Sequence, residues 1–483
     1  MSTLIPETTR TKTEPTWGKA IAQPAKEFPL TPLSLLSGEI PHELRGSLYR
    51  NGPARLERNG QRVGHWFDGD GAILGVHFSD RGATGVYRYV QTAGYQAESK
   101  ANRFLFSGYG MTPLGAIWER FGKGAKNVAN TSVIAVADKL LALWEGGQPH
   151  ALDFETLTTI GLDNLNSLAN QFPYSAHPKR DPVTGEIFNF GVTFGKNAAL
   201  RLYKSDRAGQ IQLQNSIPLE GLPILHDFVM AGKYLIFFIP PVRLNPFPVL
   251  LNLKSYSDSL AWQPQKGTQV LVVDRDTLNL VSRNEVEPWY QWHFGNGYVN
   301  MDGDAVIDLV KYKDFRTNQF LKEIATGEAQ TAAKGTLCQI RLDPKSGKLL
   351  QMQEVLDRGC EFPVVNPHQV GRASRYSYCS IHRRDADLSR ELFGAIASFD
   401  YQTGILQEAD FGANCYPMEP IFAPNPSNPE TGWILTVVFD GKRDCSEVWV
   451  FDRDRLNEQP VCRLALPSVV PMGFHGTWRS TGL

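Results

Sequence analysis

Ile340-Arg-Leu-Asp-Pro-Lys-Ser-Gly347 alternates apolar and polar residues and then runs into an aspartate, a proline and a glycine. Period-two alternation predicts a half-buried strand, and the Asp-to-Gly cluster predicts the tight turn of a hairpin. The same signature recurs outward in both directions. It stands at His150-Ala-Leu-Asp-Phe-Glu-Thr-Leu157, Leu202-Tyr-Lys-Ser-Asp-Arg-Ala-Gly209 and Val272-Val-Asp-Arg-Asp-Thr-Leu278, then at Ser398-Phe-Asp-Tyr-Gln-Thr-Gly404 and Val450-Phe-Asp-Arg-Asp-Arg455. Intervals of roughly 50 to 70 residues separate these turns, against about 40–50 for one propeller blade, so blades carrying insertions fit. Several short β-prone runs fill each interval without strand–helix alternation. The expectation is an all-β fold with a few helices and loops, arranged as a β-propeller. An array of β-sandwiches is the competing reading.

Composition narrows the classes of partner. A chain of 483 residues with 42% hydrophobic and 20% charged residues can build a large core. Lys and Arg number 49 against 50 Asp and Glu, so no nucleic acid is expected as a partner. Cys338, Cys360, Cys379, Cys415, Cys445 and Cys462 form no CxxC pair and read as reduced thiols. The opening Met1-Ser-Thr-Leu-Ile-Pro6 lacks the apolar core of a secretory leader, which predicts a cytoplasmic protein, peripheral to a membrane at most. The most apolar run, Tyr234-Leu-Ile-Phe-Phe-Ile-Pro-Pro-Val242, is cut by two prolines. It falls well short of the roughly 18 residues of a spanning helix. No feature points to an obligate protein partner.

Residues 1–25 are Thr-, Pro- and Lys-rich and read as an extended arm, leaving 26–483 as a single domain. Two segments depart from the strand pattern and read as cap insertions, near 100–126 and 240–264. In the first, Leu114, Ile117, Trp118 and Phe121 have helical spacing and Lys123 and Lys126 follow. In the second, Arg243-Leu-Asn-Pro-Phe-Pro-Val-Leu-Leu-Asn-Leu253 is apolar and broken by proline. Each is a lid over an apolar cavity, a shallow contact with a membrane surface, or a segment buried against the protein's own body.

Four histidines sit in apolar, glycine- or proline-punctuated settings: His177 in Ser175-Ala-His-Pro178, His226 in Ile224-Leu-His-Asp-Phe228, His293 in Gln291-Trp-His-Phe-Gly295, and His475 in Gly473-Phe-His-Gly476. Their wide separation rules out a zinc finger or a helical HExxH site, whose ligands cluster locally. In a propeller, the innermost strands converge on one axis, so one side chain per blade can reach a common point. Neutral imidazoles there suit Fe, Cu, Zn or Ni. Such a site needs acceptors for the outer ring N–H groups. Glu145 in Leu143-Trp-Glu-Gly146, Glu361 in Cys360-Glu-Phe-Pro363 and Glu419 in Pro417-Met-Glu-Pro420 are carboxylates stranded among apolar residues, where an unpaired charge is costly.

In order along the chain, these residues resemble the carotenoid cleavage oxygenase family from about Gly38 onward. Gly46-Ser-Leu-Tyr-Arg-Asn-Gly-Pro53 and His65-Trp-Phe-Asp-Gly-Asp-Gly71 look like its opening segments. Leu141-Ala-Leu-Trp-Glu-Gly-Gly-Gln-Pro-His150, Ser175-Ala-His-Pro178, His226-Asp-Phe228, Glu361-Phe-Pro363, Glu419-Pro-Ile-Phe422 and Phe474-His-Gly-Thr-Trp478 follow in the family's order. The resemblance implies a seven-bladed propeller with a non-haem Fe2+ on its axis, held by His177, His226, His293 and His475. It implies that Glu145, Glu361 and Glu419 orient three of those rings. Thr131 matches a threonine that crowds an open iron position in some members. One motif departs: where the family commonly has His-x-x-Asn-Ala-aromatic-Glu, this chain reads His293-Phe-Gly-Asn-Gly-Tyr-Val299.

The implied reaction is cleavage of one C=C bond of a carotenoid or apocarotenoid with O2 as co-substrate, giving aldehyde or ketone products. The motif wording is nearest to bacterial members that cut apocarotenals at the 15,15′ bond to give retinal. Cleavage of intact carotenoids at the 9,10 bond and a non-catalytic binding propeller are the alternatives. A Ca2+-dependent propeller hydrolase would need an oxygen-rich ligand set, which this imidazole set does not match. If the terminal segment around His475 pairs with a strand from the start of the chain, metal binding and ring closure meet in one place.

Overall fold

In a computed structural model describing residues 14–113, 124–195 and 198–481, the six aspartate turns occupy equivalent places. Each joins the third and fourth strands of an antiparallel four-strand meander, as Asp153 does between His150–Leu152 and Thr159–Leu162 and Asp343 does between Thr336–Asp343 and Lys348–Leu356. In four of the six the turn itself repeats. The amide four residues on donates to the aspartate carbonyl, at 3.1 Å from Leu157 to Asp153 and at 2.8 Å from Leu278 to Asp274, Gly347 to Asp343 and Gly404 to Asp400. The donor lies in the left-handed region, at φ 55°, 56°, 70° and 70° respectively. Glycine adopts that conformation freely. Leu157 and Leu278 are strained there by about 1–3 kcal/mol, but both side chains are fully buried, and burying a leucine returns about 1.5–3 kcal/mol.

The meanders form a β-propeller. Neighbouring sheets pack through their own clusters: Ile73 against Leu140, then Leu141, on the opposite face of its strand, against Tyr203. Val437 and Val448 of the last sheet meet Leu48 and Leu74 of the first and complete the circle. Both chain ends take part in closure. Gly476–Ser480 pairs antiparallel with Gly46–Arg50, and Leu35–Gly38 pairs with Cys462–Ala465. The expected meeting of ring closure with the His475 segment is therefore present.

The expectation of seven separate blades is corrected. Among the described residues, hydrogen bonding gives six sheets of four or more strands, with five, four, four, eight, six and four. The eight-stranded sheet fuses the meanders 229–286 and 290–356 through one parallel pair, Ala231 with Gly297. A Cβ on Gly297 would come within 2.8 Å of Val229 Cγ2 and 3.0 Å of the Met230 carbonyl oxygen. Glycine in place of the family's alanine thus lets the two meanders touch.

The N-terminal arm is also corrected in part. Trp17–Ile21 forms a 3-10 turn, and Trp17, Ala20 and Ile21 are buried beside Trp66, Met472 and Phe474. The Trp17 indole N–H donates to the Arg390 carbonyl at 2.9 Å. Residues 1–13 lie outside the described residues, as do Leu114, Ile117, Trp118, Phe121 and Lys123 of the first cap segment. Lys126, at its end, is buried in ion pairs with Asp70 (2.8 Å) and Glu98 (2.7 Å). In the second insertion, Asn245 caps a short helix, Pro246–Leu250, between the paired strands Val242–Leu244 and Leu260–Trp262. Its Phe247 and Leu250 are 73% and 71% exposed, so burial against the body does not describe them. No helix among the described residues is long and apolar enough to cross a membrane.

Candidate metal centre

His177, His226 and His475 each stand just before a strand, Lys179–Arg180, Val229–Ala231 and Gly476–Ser480, and His293 lies within Tyr290–Val299, in four different meanders. A local irregularity aims His293. The pairing of Tyr290–Val299 with Ala305–Tyr312 shifts register between Gln291 and Phe294, and a bulge re-aims the side chain beside it. His475 donates its amide to the Thr131 carbonyl at 3.2 Å, while its own carbonyl accepts from Asn51 at 2.9 Å.

The four imidazoles converge, their potential ligand atoms all within 4.8 Å of one another. His177 Nε2 lies 2.9 Å from His226 Nε2, which lies 3.2 Å from His293 Nε2. Two nitrogens bound at about 2.1 Å to one ion at right angles would be about 3 Å apart, so these spacings suit shared coordination.

The three predicted glutamates sit behind three of the rings. Glu361 Oε2 accepts from His293 Nδ1 at 2.6 Å, Glu419 Oε1 accepts from His475 Nδ1 at 2.8 Å, and Glu145 contacts His226 Nδ1. A proton held on Nδ1 leaves each Nε2 lone pair facing inward. Glu361 is itself fixed: Tyr312 Oη donates to its Oε1 at 3.0 Å and the Phe362 amide to its Oε2 at 2.7 Å. Phe362 sits at φ 57° in a second bulge, with its ring 5.3 Å from that of His293. The Gly476 amide donates to Glu419 Oε2 at 2.8 Å, and buried Arg50 donates to the Glu419 and Phe474 carbonyls at 2.7 and 3.1 Å.

Electrostatics follow from burial. His177 and His475 are held well below the usual imidazole range, first by burial and then by neighbouring imidazoles. Burial pushes the same way on His226, but the Glu145 carboxylate outweighs it and the net shift is upward. Burial lifts the Glu419 carboxyl to about 7, against the pull of Arg50 and the Gly476 amide.

The rings of His226, His293 and His475 open on a cavity of about 520 Å³ whose walls include Phe67, Tyr109, Trp144, Trp292, Phe362 and Phe474. Thr131 lines it too, its hydroxyl donating to Asn130 Oδ1 at 3.1 Å. All eight residues singled out in the sequence thus lie together. Arg50, Tyr312, Phe362 and Asp227 were not singled out. For Asp227 the signal was available: a carboxylate directly after His226 in an apolar run.

The chain is similar to known proteins over nearly its whole length. The family model described as RPE65, retinal pigment epithelial membrane protein, matches residues 21–480. The chain is 32% identical over 469 residues to the apocarotenoid-15,15′-oxygenase of Synechocystis sp., covering 92% of each. It is 27% identical to resveratrol cleavage oxygenase 1 of Aspergillus fumigatus, covering 91% of each. The solved structure of cobalt-substituted Synechocystis apocarotenoid oxygenase superposes with a TM-score of 0.87 at 31% identity, over 96% of this chain and 98% of that one.

Proposed function

Because the chain belongs to the RPE65/carotenoid cleavage oxygenase family, we propose that it is a non-haem Fe2+ oxygenase cleaving an apocarotenal at the 15,15′ bond to give retinal. The observation that carries this reading is the set of four convergent imidazoles, three backed by carboxylates, opening on an aromatic cavity. The residues fit a divalent ion. Glu145, Glu361, Glu419 and Asp227 are four carboxylates beside the rings, and Arg50 and Lys179 are the two cations paired with them. Glu361 and Asp227 are buried, and a divalent ion at the imidazoles would offset negative charge held where it is costly. An all-nitrogen donor set suits iron.

His177, His226, His293 and His475 would hold the ion. When bound, the iron supplies O2 activation for cleavage of the C=C bond. The chain's own residues do the rest. Glu145, Glu361 and Glu419 keep the Nδ1 protons and so the ring orientations. Thr131, in the cavity wall, narrows the space beside the ion. A polyene has no group that binds iron, so the cavity selects by shape which double bond lies near it.

Residues 26–483 act in this reading as one domain with caps near 100–126 and 240–264. Exposed Phe247, Leu250, Leu251 and Leu253 support shallow docking of the second cap on a lipid surface, where an apolar substrate resides. Incubating iron-loaded protein with an apocarotenal and with β-carotene, then sizing the products, tests the assignment. Retinal from the apocarotenal is expected. Products of 9,10 cleavage from β-carotene would replace the 15,15′ reading, and no cleavage of either would overturn the oxygenase.

A further inference from the structure

Three of the four convergent histidines have a carboxylate behind them, and among the described residues His177 has none. Its backbone amide donates to Ser175 Oγ at 3.1 Å, which fixes the chain but not the ring's approach to the other three. A different carboxylate lies nearby. Asp227 follows His226, and its side chain is only 1% exposed. Its Oδ1 lies 2.8 Å from Lys179 Nζ and accepts the Phe228 amide at 2.7 Å, and its Oδ2 accepts the Phe294 amide at 3.0 Å. Lys179 stands two residues after His177, and Phe294 one after His293. One carboxylate therefore ties together the segments that carry three of the four imidazoles, each from a different meander.

We propose that the Asp227–Lys179 pair positions His177, doing for that ring through the backbone what the three glutamates do for the others directly. This rests on the metal reading above. The link is short and stiff. Only Pro178 separates Lys179 from His177, and the proline ring fixes its own φ, so a shift of Lys179 is passed to the histidine rather than absorbed between them. The lysine is further restrained by the Phe228 ring, 5.8 Å from its ammonium. The pair is also placed to hold spacing between meanders. Asp227 fixes the relation of the His226 segment to the His293 strand through the Phe294 amide, and Lys179 adds the His177 segment to that frame. Asp227 and Lys179 are positioning residues, with no contact to the reacting atoms.

Cobalt replaces the metal in the solved Synechocystis relative, and Co2+ is the probe here. Wild type, Asp227→Asn, Lys179→Met and Lys179→Arg are prepared without metal and titrated with Co2+, reading affinity and the visible absorption of the bound ion. Asp227→Asn and Lys179→Met are expected to bind about 10–100-fold more weakly, the usual effect of losing an outer partner, with an altered spectrum. Lys179→Arg keeps a cation on the same carboxylate and is expected to restore both. A purely structural role predicts lower melting temperatures with unchanged affinity and spectrum, and that result in Asp227→Asn and Lys179→Met overturns the proposal. Should Asp227→Asn fail to fold, Lys179→Met decides, since its side chain is 19% exposed. Failure of the wild type to bind Co2+ would instead overturn the metal reading itself.

Discussion

Gly476 pairs with Arg50 across the strands that close the ring, one residue beyond His475. The Arg50 guanidinium turns back to the Glu419 and Phe474 carbonyls, so closure and the His475–Glu419 pair share a hydrogen-bond network. Removing the chain from Pro471 onward is expected to abolish both cooperative thermal unfolding and iron retention. A soluble, iron-loaded truncation would show the two to be separable.

Ligand and support should differ in the size of their effects. His177→Ala, His226→Ala, His293→Ala and His475→Ala are each expected to lose bound iron and activity. Glu361→Gln keeps an acceptor for His293 but removes the charge, so a partial loss of about 10–100-fold is expected. Iron content by elemental analysis, measured beside product formation, separates the two classes; a fully active histidine variant would remove that residue from the site.

Gly297→Ala tests the fusion of two meanders. The added methyl would sit 2.8 Å from Val229 Cγ2 and 3.0 Å from the Met230 carbonyl oxygen. Overpacking of that kind costs about 1–3 kcal/mol. Denaturant unfolding should register the loss, and an unchanged midpoint would mean the contact is slack.

His65 supplies a pH signature. It is fully buried, and burial holds its imidazole at about 3 against an ordinary 6.5. The folded state keeps it neutral while the unfolded chain takes up a proton below 6.5, so its contribution to stability is present above that pH and lost as pH falls toward 3. His65→Asn should destabilise at pH 8, and its gap from wild type should narrow between pH 6.5 and 4. Melting temperatures across that range give the answer; a constant gap contradicts the assignment.

Lipid docking is open to a direct test. Phe247, Leu250, Leu251 and Leu253 are 73%, 71%, 49% and 57% exposed. Replacing Leu250 and Leu251 by Asp should reduce co-sedimentation with liposomes, and undiminished binding would place the contact elsewhere.

The aspartate turns were legible because a hairpin is local: Asp343 and Gly347 bond each other across four residues. The four histidines and three glutamates could be read because each is a polar residue stranded in an apolar run. Arg50, Tyr312 and Lys179 could not, since their partners lie far away in the chain and no local pattern reports them. The sheet count escaped for a similar reason. It depends on whether Gly297 touches Ala231, and no local pattern reports a contact between two meanders. The arm misled because its Thr-, Pro- and Lys-rich composition outweighed one residue, Trp17, whose indole is held by Arg390.

The two crossed strand pairings at the ends of the chain also bear on how the protein folds. Gly46–Arg50 must wait for Gly476–Ser480, and Leu35–Gly38 for Cys462–Ala465. Contacts so distant in sequence form slowly. Until they form the first sheet lacks an edge strand, and His475 is absent from the set of four. Assembly of the complete metal centre is thus tied to a long-range pairing of the fold and not to local structure alone.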